Sequence, residues 1–224
     1  MDERLSSLLK TVIEDYVATA EPVGSQHLVE QYDLGVSSAT IRNWFSALEE
    51  QGYLTQPHTS GGRLPTEKGF LYYVEHFIQT KPPSKKDREA LEKAANVVNE
   101  EGRRLKNIAK ALAELSGEAA VVGFSDRDTF YTGLSQLFAQ PEFRHWENVI
   151  SLSELLDRLD ETLHRLSGKT FTEPRILLGA ECPFGPGCAS ILASTEGGLI
   201  GILGPLRMDY QQIYSLVSTA IKIY

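Results

Sequence analysis

The chain has 224 residues, of which 42% are hydrophobic and 23% are charged, as in an ordinary globular protein of one or two domains. No apolar run reaches the roughly 18–20 residues that a membrane-spanning helix requires, and the charged first ten residues lack the layout of a signal peptide. Composition therefore argues against a membrane-spanning or secreted protein, and we expect a cytoplasmic protein with no membrane partner.

The net charge of −8 argues at first against a nucleic-acid partner. Residues 1–80 carry five Lys/Arg against eleven Asp/Glu, a net charge of −6. Residues 81–117 carry nine against six, a net charge of +3, and residues 118–224 carry eight against thirteen, a net charge of −5. Nucleic-acid binding would therefore depend on where the few cations of residues 1–80 lie.

Residues 1–51 are predicted to form three helices. In the first, apolar residues recur at intervals of three and four: Leu5, Leu8, Leu9, Val12, Ile13, Tyr16 and Val17. This helix ends before Pro22, because proline disfavours helical backbone at the preceding residue. Ser25 and Ser37 are the predicted N-caps of the second and third helices, and the third runs to about Gln51.

A hairpin and a fourth helix are predicted next. Residues 53–56 and 63–64 are extended in pattern, and the turn-forming run P-H-T-S-G-G separates them. Thr66 then caps a helix that contains Phe70, Tyr73 and Phe77. Three helices, a two-stranded hairpin and a returning helix within residues 1–80 are typical of a winged helix-turn-helix DNA-binding domain.

Residues 81–117 are predicted to be a linker followed by a helix. K-P-P-S-K-K interrupts the chain at 81–86, and a heptad-like pattern then extends from Asp87 to Leu115. Two interpretations remain open for this helix. It either lies on its own C-terminal domain or pairs two subunits through a seam formed by Leu91, Val98, Leu105, Ile108 and Leu112.

Residues 118–224 mix strand and helix patterns. Buried strands are predicted near 119–123, 175–179, 189–193 and 199–203, and amphipathic helices over 152–166 and 213–221. This part is predicted to be a small α/β domain with a mostly antiparallel sheet, which makes the whole chain α+β.

The third helix has the polarity of a DNA recognition helix. On a helical wheel Ile41, Phe45 and Leu48 face the core, and the opposite side is polar or small. On that side the Arg42 guanidinium can donate hydrogen bonds to guanine, and the Asn43 carboxamide can hydrogen-bond adenine. The Ala39 methyl group can contact the methyl group of thymine. The hydroxyls of Ser37, Ser38 and Thr40, near the helix N-terminus, can donate hydrogen bonds to phosphate oxygens.

The hairpin tip supplies a second set of candidates. It contains no carboxylate and ends in a cation, and its two glycines allow close approach to a phosphate or a minor groove. The alternatives are an ordinary solvated helix face and an ordinary tight turn. The full predicted DNA-binding set is Ser37, Ser38, Ala39, Thr40, Arg42, Asn43, Ser46, His58, Ser60 and Arg63.

Five stretches resemble the HrcA family of heat-inducible transcription repressors. They are E-P-V-G-S-Q-H-L (21–28), V-S-S-A-T-I-R-N (36–43), L-E-E-Q-G-Y-L-T-Q-P-H-T-S-G-G-R-L-P-T-E-K-G-F (48–70), Y-T-G-L-S-Q-L-F-A-Q-P-E-F (131–143) and G-L-I-G-I-L-G-P-L-R-M-D-Y (198–210). The resemblance implies a homodimer that represses chaperone operons by binding an inverted repeat in double-stranded DNA. It also implies a GAF-like regulatory domain at 118–224 and the chaperonin GroEL as a partner.

The chain also departs from the family pattern. The stretch between Leu115 and Tyr131 is too brief for the family's inserted dimerisation domain, so the chain resembles a shortened form. Trp44-Phe45 and C-P-F-G-P-G-C are not typical of the family either. The shortening puts the family's mode of dimerisation in doubt and gives the 87–115 pattern a possible substitute role.

Two other classes of function were weighed against a DNA-binding repressor. In one, the protein is still a winged-helix DNA-binding regulator, but glycine-containing loops at Cys182–Gly187 and Gly197–Gly198 line a pocket in which the C-terminal domain senses a small molecule. The other is an enzyme, which we do not expect, because no phosphate-binding loop, nucleophile elbow or metal-ligand spacing is present. Cys182 and Cys188 are interpreted as free thiols in a packed loop, and we expect no metal or cofactor.

Overall fold

The computed structural model describes residues 1–57, 61–97, 101–124, 128–143 and 153–224. They form two compact units, Met1–Ile78 and Gln79–Tyr224. Among the described helices, none is both long enough and apolar enough to cross a membrane.

The first unit begins with three helices, α1 (Glu3–Thr19), α2 (Ser25–Gln31) and α3 (Ser38–Glu50). Ser37 caps α3 as predicted, because its side chain accepts a hydrogen bond from the Thr40 N–H. The prediction for Ser25 is wrong: Gly24 occupies the N-cap position of α2 and Ser25 is its first helical residue. The core between these helices is made of completely buried side chains: Leu9, Val12, Ile13, Leu28, Ile41 and Leu48.

A short antiparallel hairpin, β1 (Leu54–Thr55) and β2 (Leu64–Pro65), leads into α4 (Glu67–Phe77). Thr66 caps α4 as predicted, through a hydrogen bond from the Gly69 N–H. An isolated bridge joins Val23 to Arg63, with backbone N–O distances of 2.9 and 2.8 Å. The loop between α1 and α2 is therefore hydrogen-bonded to the base of the hairpin.

A buried carboxylate holds α2 against α1. Asp15 on α1 is 6% exposed. It accepts hydrogen bonds from His27 Nε2 at 2.9 Å and from Tyr32 Oη at 3.0 Å. Because His27 lies in the first turn of α2 and Tyr32 is its C-cap residue, one carboxylate secures both ends of this helix.

The second unit is built on a five-stranded sheet in which every pair of neighbours is antiparallel. The strand order is β4-β3-β7-β6-β5. Its strands are β3 (Ala119–Phe124), β4 (Thr129–Thr132), β5 (Arg175–Leu178), β6 (Cys188–Thr195) and β7 (Gly198–Pro205). The predicted antiparallel sheet is confirmed, and β4 is an additional strand that the sequence patterns did not indicate.

Helices cover both faces of this sheet. In the described part of the second unit the α-helices are α5 (Lys85–Asn96), α6 (Glu101–Ser116), α7 (Leu134–Ala139), α8 (of which 153–157 are described), α9 (Leu159–Ser167) and α10 (Tyr210–Ile223). Ala119 and Val121 of β3 share a hydrophobic cluster with residues of α7 and α9. The packing of α6 and α10 on β3, β6 and β7 covers the other face. Every residue of β3 is buried in consequence, which explains why this antiparallel strand is a continuous apolar run.

The prediction of one helix from Asp87 to Leu115 is wrong. The segment forms two helices, α5 and α6, that pack against each other and against α10. Their leucines repeat every seven residues because each helix buries one apolar stripe, a pattern that does not require a continuous helix. Both helices lie in the second unit, Gln79–Tyr224.

Candidate nucleic-acid interface

The polar face of α3 is exposed, as the helical wheel predicted. Ile41, Phe45 and Leu48 are buried on one side of the helix. On the other side the exposed candidate residues are Ser37, Ala39, Arg42, Asn43 and Ser46, while Ser38 and Thr40 are half-buried. Seven of the ten predicted contact residues therefore lie together along one helix.

The N-terminal turn of α3 combines hydroxyl groups with helix N–H groups. Ser37 Oγ lies 3.2 Å from the Thr40 N–H and 3.0 Å from Thr40 Oγ1. The first N–H groups of a helix have no partner within the helix, and the helix dipole places a partial positive charge there. This turn can therefore bind an anionic oxygen such as that of a phosphate.

The two residues with base-reading chemistry follow in the next turn. Arg42 and Asn43 are exposed and, among the described residues, no hydrogen bond or ion pair involves their side chains. Ser46 Oγ donates to the Arg42 carbonyl oxygen at 3.2 Å, so its oxygen can still accept a hydrogen bond. A guanidinium and a carboxamide that are exposed on one helix face can reach base edges in a major groove.

Arg63, the predicted cation of the hairpin tip, makes contacts within the first unit. Its side chain is 16% exposed, and its Nε lies 3.0 Å from Glu49 Oε1 on α3. The guanidinium also lies over the Phe45 ring, 5.8 Å from the centroid, and donates to the Gly61 carbonyl oxygen at 3.3 Å. Arg63 therefore forms an ion pair within the first unit, and its predicted contact with DNA stays a prediction.

The rest of the hairpin tip is only partly described. His58 and Ser60 lie outside the described residues, so their contact with DNA stays a prediction. Gly62 approaches the backbone of the first loop so closely that an added Cβ would lie 2.5 Å from the Pro22 carbonyl oxygen. Its lack of a side chain is thus needed for packing within the unit.

Several acids of the first unit have partners within it, and two of these partners are cations. Glu49 pairs with Arg63, Glu14 Oε1 lies 3.0 Å from Lys10 Nζ, and Asp15 is buried against His27. Sequence reasoning did not identify the partner of Glu49. The only available signal was the opposite charge of Arg63, fourteen residues later.

The predicted dimer seam lies inside the second unit. Leu91, Leu105, Ile108 and Leu112 are completely buried within the single chain. Val98 lies outside the described residues. This burial favours the other interpretation, in which the apolar stripe packs on the chain's own domain.

The cysteine loop is also packed rather than open. Cys182, Phe184 and Cys188 belong to the hydrophobic cluster under α7 and α9. Burial raises the pKa of both thiols, and that of Cys188 reaches about 12. Such thiols stay protonated and unreactive at neutral pH.

The second predicted pocket loop is also packed. Gly197 lies against Tyr224, where an added Cβ would collide with the phenol oxygen. Among the described residues, no group of His, Cys, Asp and Glu is suited to hold a metal ion.

A buried polar cluster in the second unit was missed by sequence reasoning. Glu118, between α6 and β3, is 5% exposed and accepts a hydrogen bond from Gln140 Nε2 at 3.2 Å. Arg207 joins the cluster through Glu142 Oε1 at 2.6 Å and Gln140 Oε1 at 2.9 Å. Burial raises the pKa of Glu118 to about 8, and Glu142 acts in the same direction, while Arg207 and Gln140 oppose the shift.

A protein-family model and two repressors match the sequence. The model described as the HrcA protein C-terminal domain matches residues 65–214, more than half of the chain. The heat-inducible transcription repressor HrcA of Kineococcus radiotolerans is 42% identical over 123 residues, covering 55% of this chain and 36% of that repressor. The corresponding repressor of Mycobacterium leprae is 44% identical over 128 residues, covering 57% of this chain and 37% of that repressor.

These matches span little more than a third of the length of the two curated relatives. A solved structure, described as that of a hypothetical protein, matches 99% of this chain and 97% of its own with a TM-score of 0.82. At 17% identity this likeness concerns the fold alone. The family assignment depends instead on the match over residues 65–214 and on the two repressors, and it agrees with the sequence motifs: the chain belongs to the HrcA family.

Proposed function

We propose that this protein is a sequence-specific DNA-binding repressor of heat-shock chaperone operons and not an enzyme. In this proposal residues 1–80 are a winged helix-turn-helix domain, α3 is the recognition helix, and residues 118–224 are a GAF-like regulatory domain. The names of the two relatives support the repressor function.

The observation that carries the proposal is the exposed face of α3. Small and hydroxyl side chains occupy its first turn, and Arg42 and Asn43 follow without an intramolecular partner among the described residues. The first turn would bind a phosphate, and the next turn would lie at the base edges of a major groove. Phosphate contacts would fix the register, and Arg42 and Asn43 would supply base specificity.

The acidic net charge is compatible with this proposal because of its distribution. From Ser37 to Leu48 the recognition helix contains no carboxylate, and Glu49 at its far end is paired with Arg63. Binding would then come from a small number of phosphate contacts. The affinity for DNA should decrease as salt rises, with a shallow slope that reflects that small number.

The proposal includes a homodimer on an inverted repeat, with two copies of α3 in successive major grooves. It also includes the chaperonin GroEL as the partner that adjusts repression, as the family resemblance implies. Both parts are supported by the family membership of the chain rather than by contacts within it.

The test is DNA binding by the purified full chain. Footprinting on fragments from upstream of the organism's own chaperone operons should reveal a protected inverted repeat, and anisotropy should give an affinity that falls with salt. A scrambled duplex of equal length is the control. Failure to bind any chaperone-promoter fragment at low ionic strength would refute the proposed function.

A further inference from the structure

The ion pair between Glu49 and Arg63 connects the recognition helix to the hairpin. Glu49 lies in the last turn of α3, and Arg63 directly precedes β2. Their side chains are 26% and 16% exposed, and the Nε–Oε1 distance is 3.0 Å. The contact is an ion pair by distance and charge, because Arg63 Nε makes no hydrogen bond among the described residues. A pair that is mostly shielded from water holds its geometry more firmly than an exposed surface pair.

Arg63 is restrained from several directions at once. Its backbone N–H and carbonyl are hydrogen-bonded to Val23, its guanidinium lies over Phe45, and its Nη1 donates to the carbonyl of Gly61. Phe45 is itself buried in the core under α3. The residue that directly precedes the second strand is therefore fixed to the recognition helix through both a charge and a ring.

We propose that Glu49 and Arg63 are positioning residues that set the hairpin at the correct place relative to the recognition helix for both to contact one duplex. This inference rests on the proposed function. In it Arg63 does not bind a phosphate, and Glu49 supports DNA binding although it is an acid. The neighbouring Glu50 has no such role: it is exposed, and among the described residues no ion pair involves it.

Removal of the Glu49 carboxylate should affect DNA affinity in the opposite direction to removal of an ordinary acid near DNA. Loss of a carboxylate normally strengthens attraction to phosphate. Glu49→Gln should instead weaken DNA binding about tenfold, which is the loss of affinity expected when roughly one good contact is removed. The reason is that Arg63 would lose its counter-charge and leave the Phe45 ring, which would displace the base of the hairpin. Glu50→Gln is the matched control and should leave binding unchanged or slightly stronger.

The experiment measures binding of the full chain to its footprinted site by anisotropy at several salt concentrations. It compares wild type, Glu49→Gln, Glu50→Gln, Arg63→Gln and the double variant Glu49→Gln/Arg63→Gln. Stoichiometric titration gives the active fraction of each preparation, so that partial unfolding is separated from a change in Kd. The double variant should bind no worse than the weaker single variant, because the two residues act as one unit.

Three outcomes would overturn the inference while leaving the proposed function intact. In the first, Glu49→Gln behaves like Glu50→Gln. In the second, it binds more tightly than wild type, as a phosphate-binding Arg63 released from its acid would predict. In the third, only its active fraction falls and Kd is unchanged, which indicates a purely structural role. Absence of binding by the wild type would instead refute the proposed function itself.

Discussion

Replacing Glu118 by Gln should change how the stability of the second unit depends on pH. The carboxyl group is buried, and among the described residues its Oε2 has no hydrogen-bond partner. Gln keeps the size of the side chain and removes the ionisation. The comparison between the two proteins therefore isolates the effect of one proton.

The direction in which stability changes with pH follows from the linkage between protonation and folding. Burial raises the pKa of Glu118 from 4.5 to about 8, so the folded chain retains a proton that the unfolded chain releases. The protonated Glu118 therefore adds its whole contribution to the free energy of unfolding below pH 4.5. This contribution is lost as the pH rises towards 8. The loss is at most about 1.4 kcal/mol per pH unit, and about 3–5 kcal/mol over the whole window.

The assay is urea unfolding of both full-length proteins by circular dichroism between pH 4.5 and 8.5. Glu118→Gln should match the wild type at the acidic end and exceed its free energy of unfolding progressively towards pH 8. Glu173→Gln, which alters an exposed carboxylate in the same unit, should follow the wild type throughout. Parallel curves for wild type and Glu118→Gln would refute the raised pKa, because an ordinarily ionised Glu118 adds no such dependence.

Three further predictions concern the first unit and the core of the second. Arg42→Ala should cost about 1–3 kcal/mol on the cognate duplex and much less on random DNA, measured by anisotropy, because it removes a base contact. Gly62→Ala should lower the free energy of unfolding of the first unit by about 1–3 kcal/mol in thermal denaturation, because the new Cβ meets rigid backbone. Leu112→Ala should lower the stability of the second unit by about 2–5 kcal/mol in urea, because a completely buried side chain leaves a cavity.

Each of these predictions has a matched control. Arg4→Ala removes an exposed cation outside α3 and should not alter sequence discrimination; equal losses on cognate and random DNA for Arg42→Ala would argue against base reading. Gly187→Ala adds a Cβ in open space and should be tolerated; an equally tolerated Gly62→Ala would mean that the loop can move away. Leu115→Ala alters a half-buried leucine and should cost less than Leu112→Ala.

Local signals in the sequence were sufficient to locate the helices of the first unit, although the N-cap of α2 is Gly24 and not the predicted Ser25. The caps Ser37 and Thr66 act over three residues, and the alternation of Ile41, Phe45 and Leu48 with polar residues defines the exposed face of α3. Such features depend on neighbours in the chain, so they can be predicted without knowledge of the tertiary structure. The same local reasoning identified Arg42 and Asn43 as exposed.

Several features that depend on distant partners were not predicted. A cation next to two glycines gives no sign that Glu49, fourteen residues earlier, will neutralise it. A seven-residue repeat is produced equally by a seam between subunits and by two helices that each pack inward, so the pattern around Leu105 and Leu112 was ambiguous. The cluster around Glu118 combines residues from 118 to 207 and has no contiguous signature.

The bridge between Val23 and Arg63 has a consequence for protein engineering. E-P-V-G and G-G-R-L-P lie about forty residues apart, yet the Val23 backbone completes the hydrogen bonding of the second stretch and the Pro22 carbonyl leaves no room for a larger residue at position 62. A chimera that receives the hairpin of another repressor must therefore receive the loop before α2 as well. Grafting either piece alone would join two surfaces that were not shaped for each other.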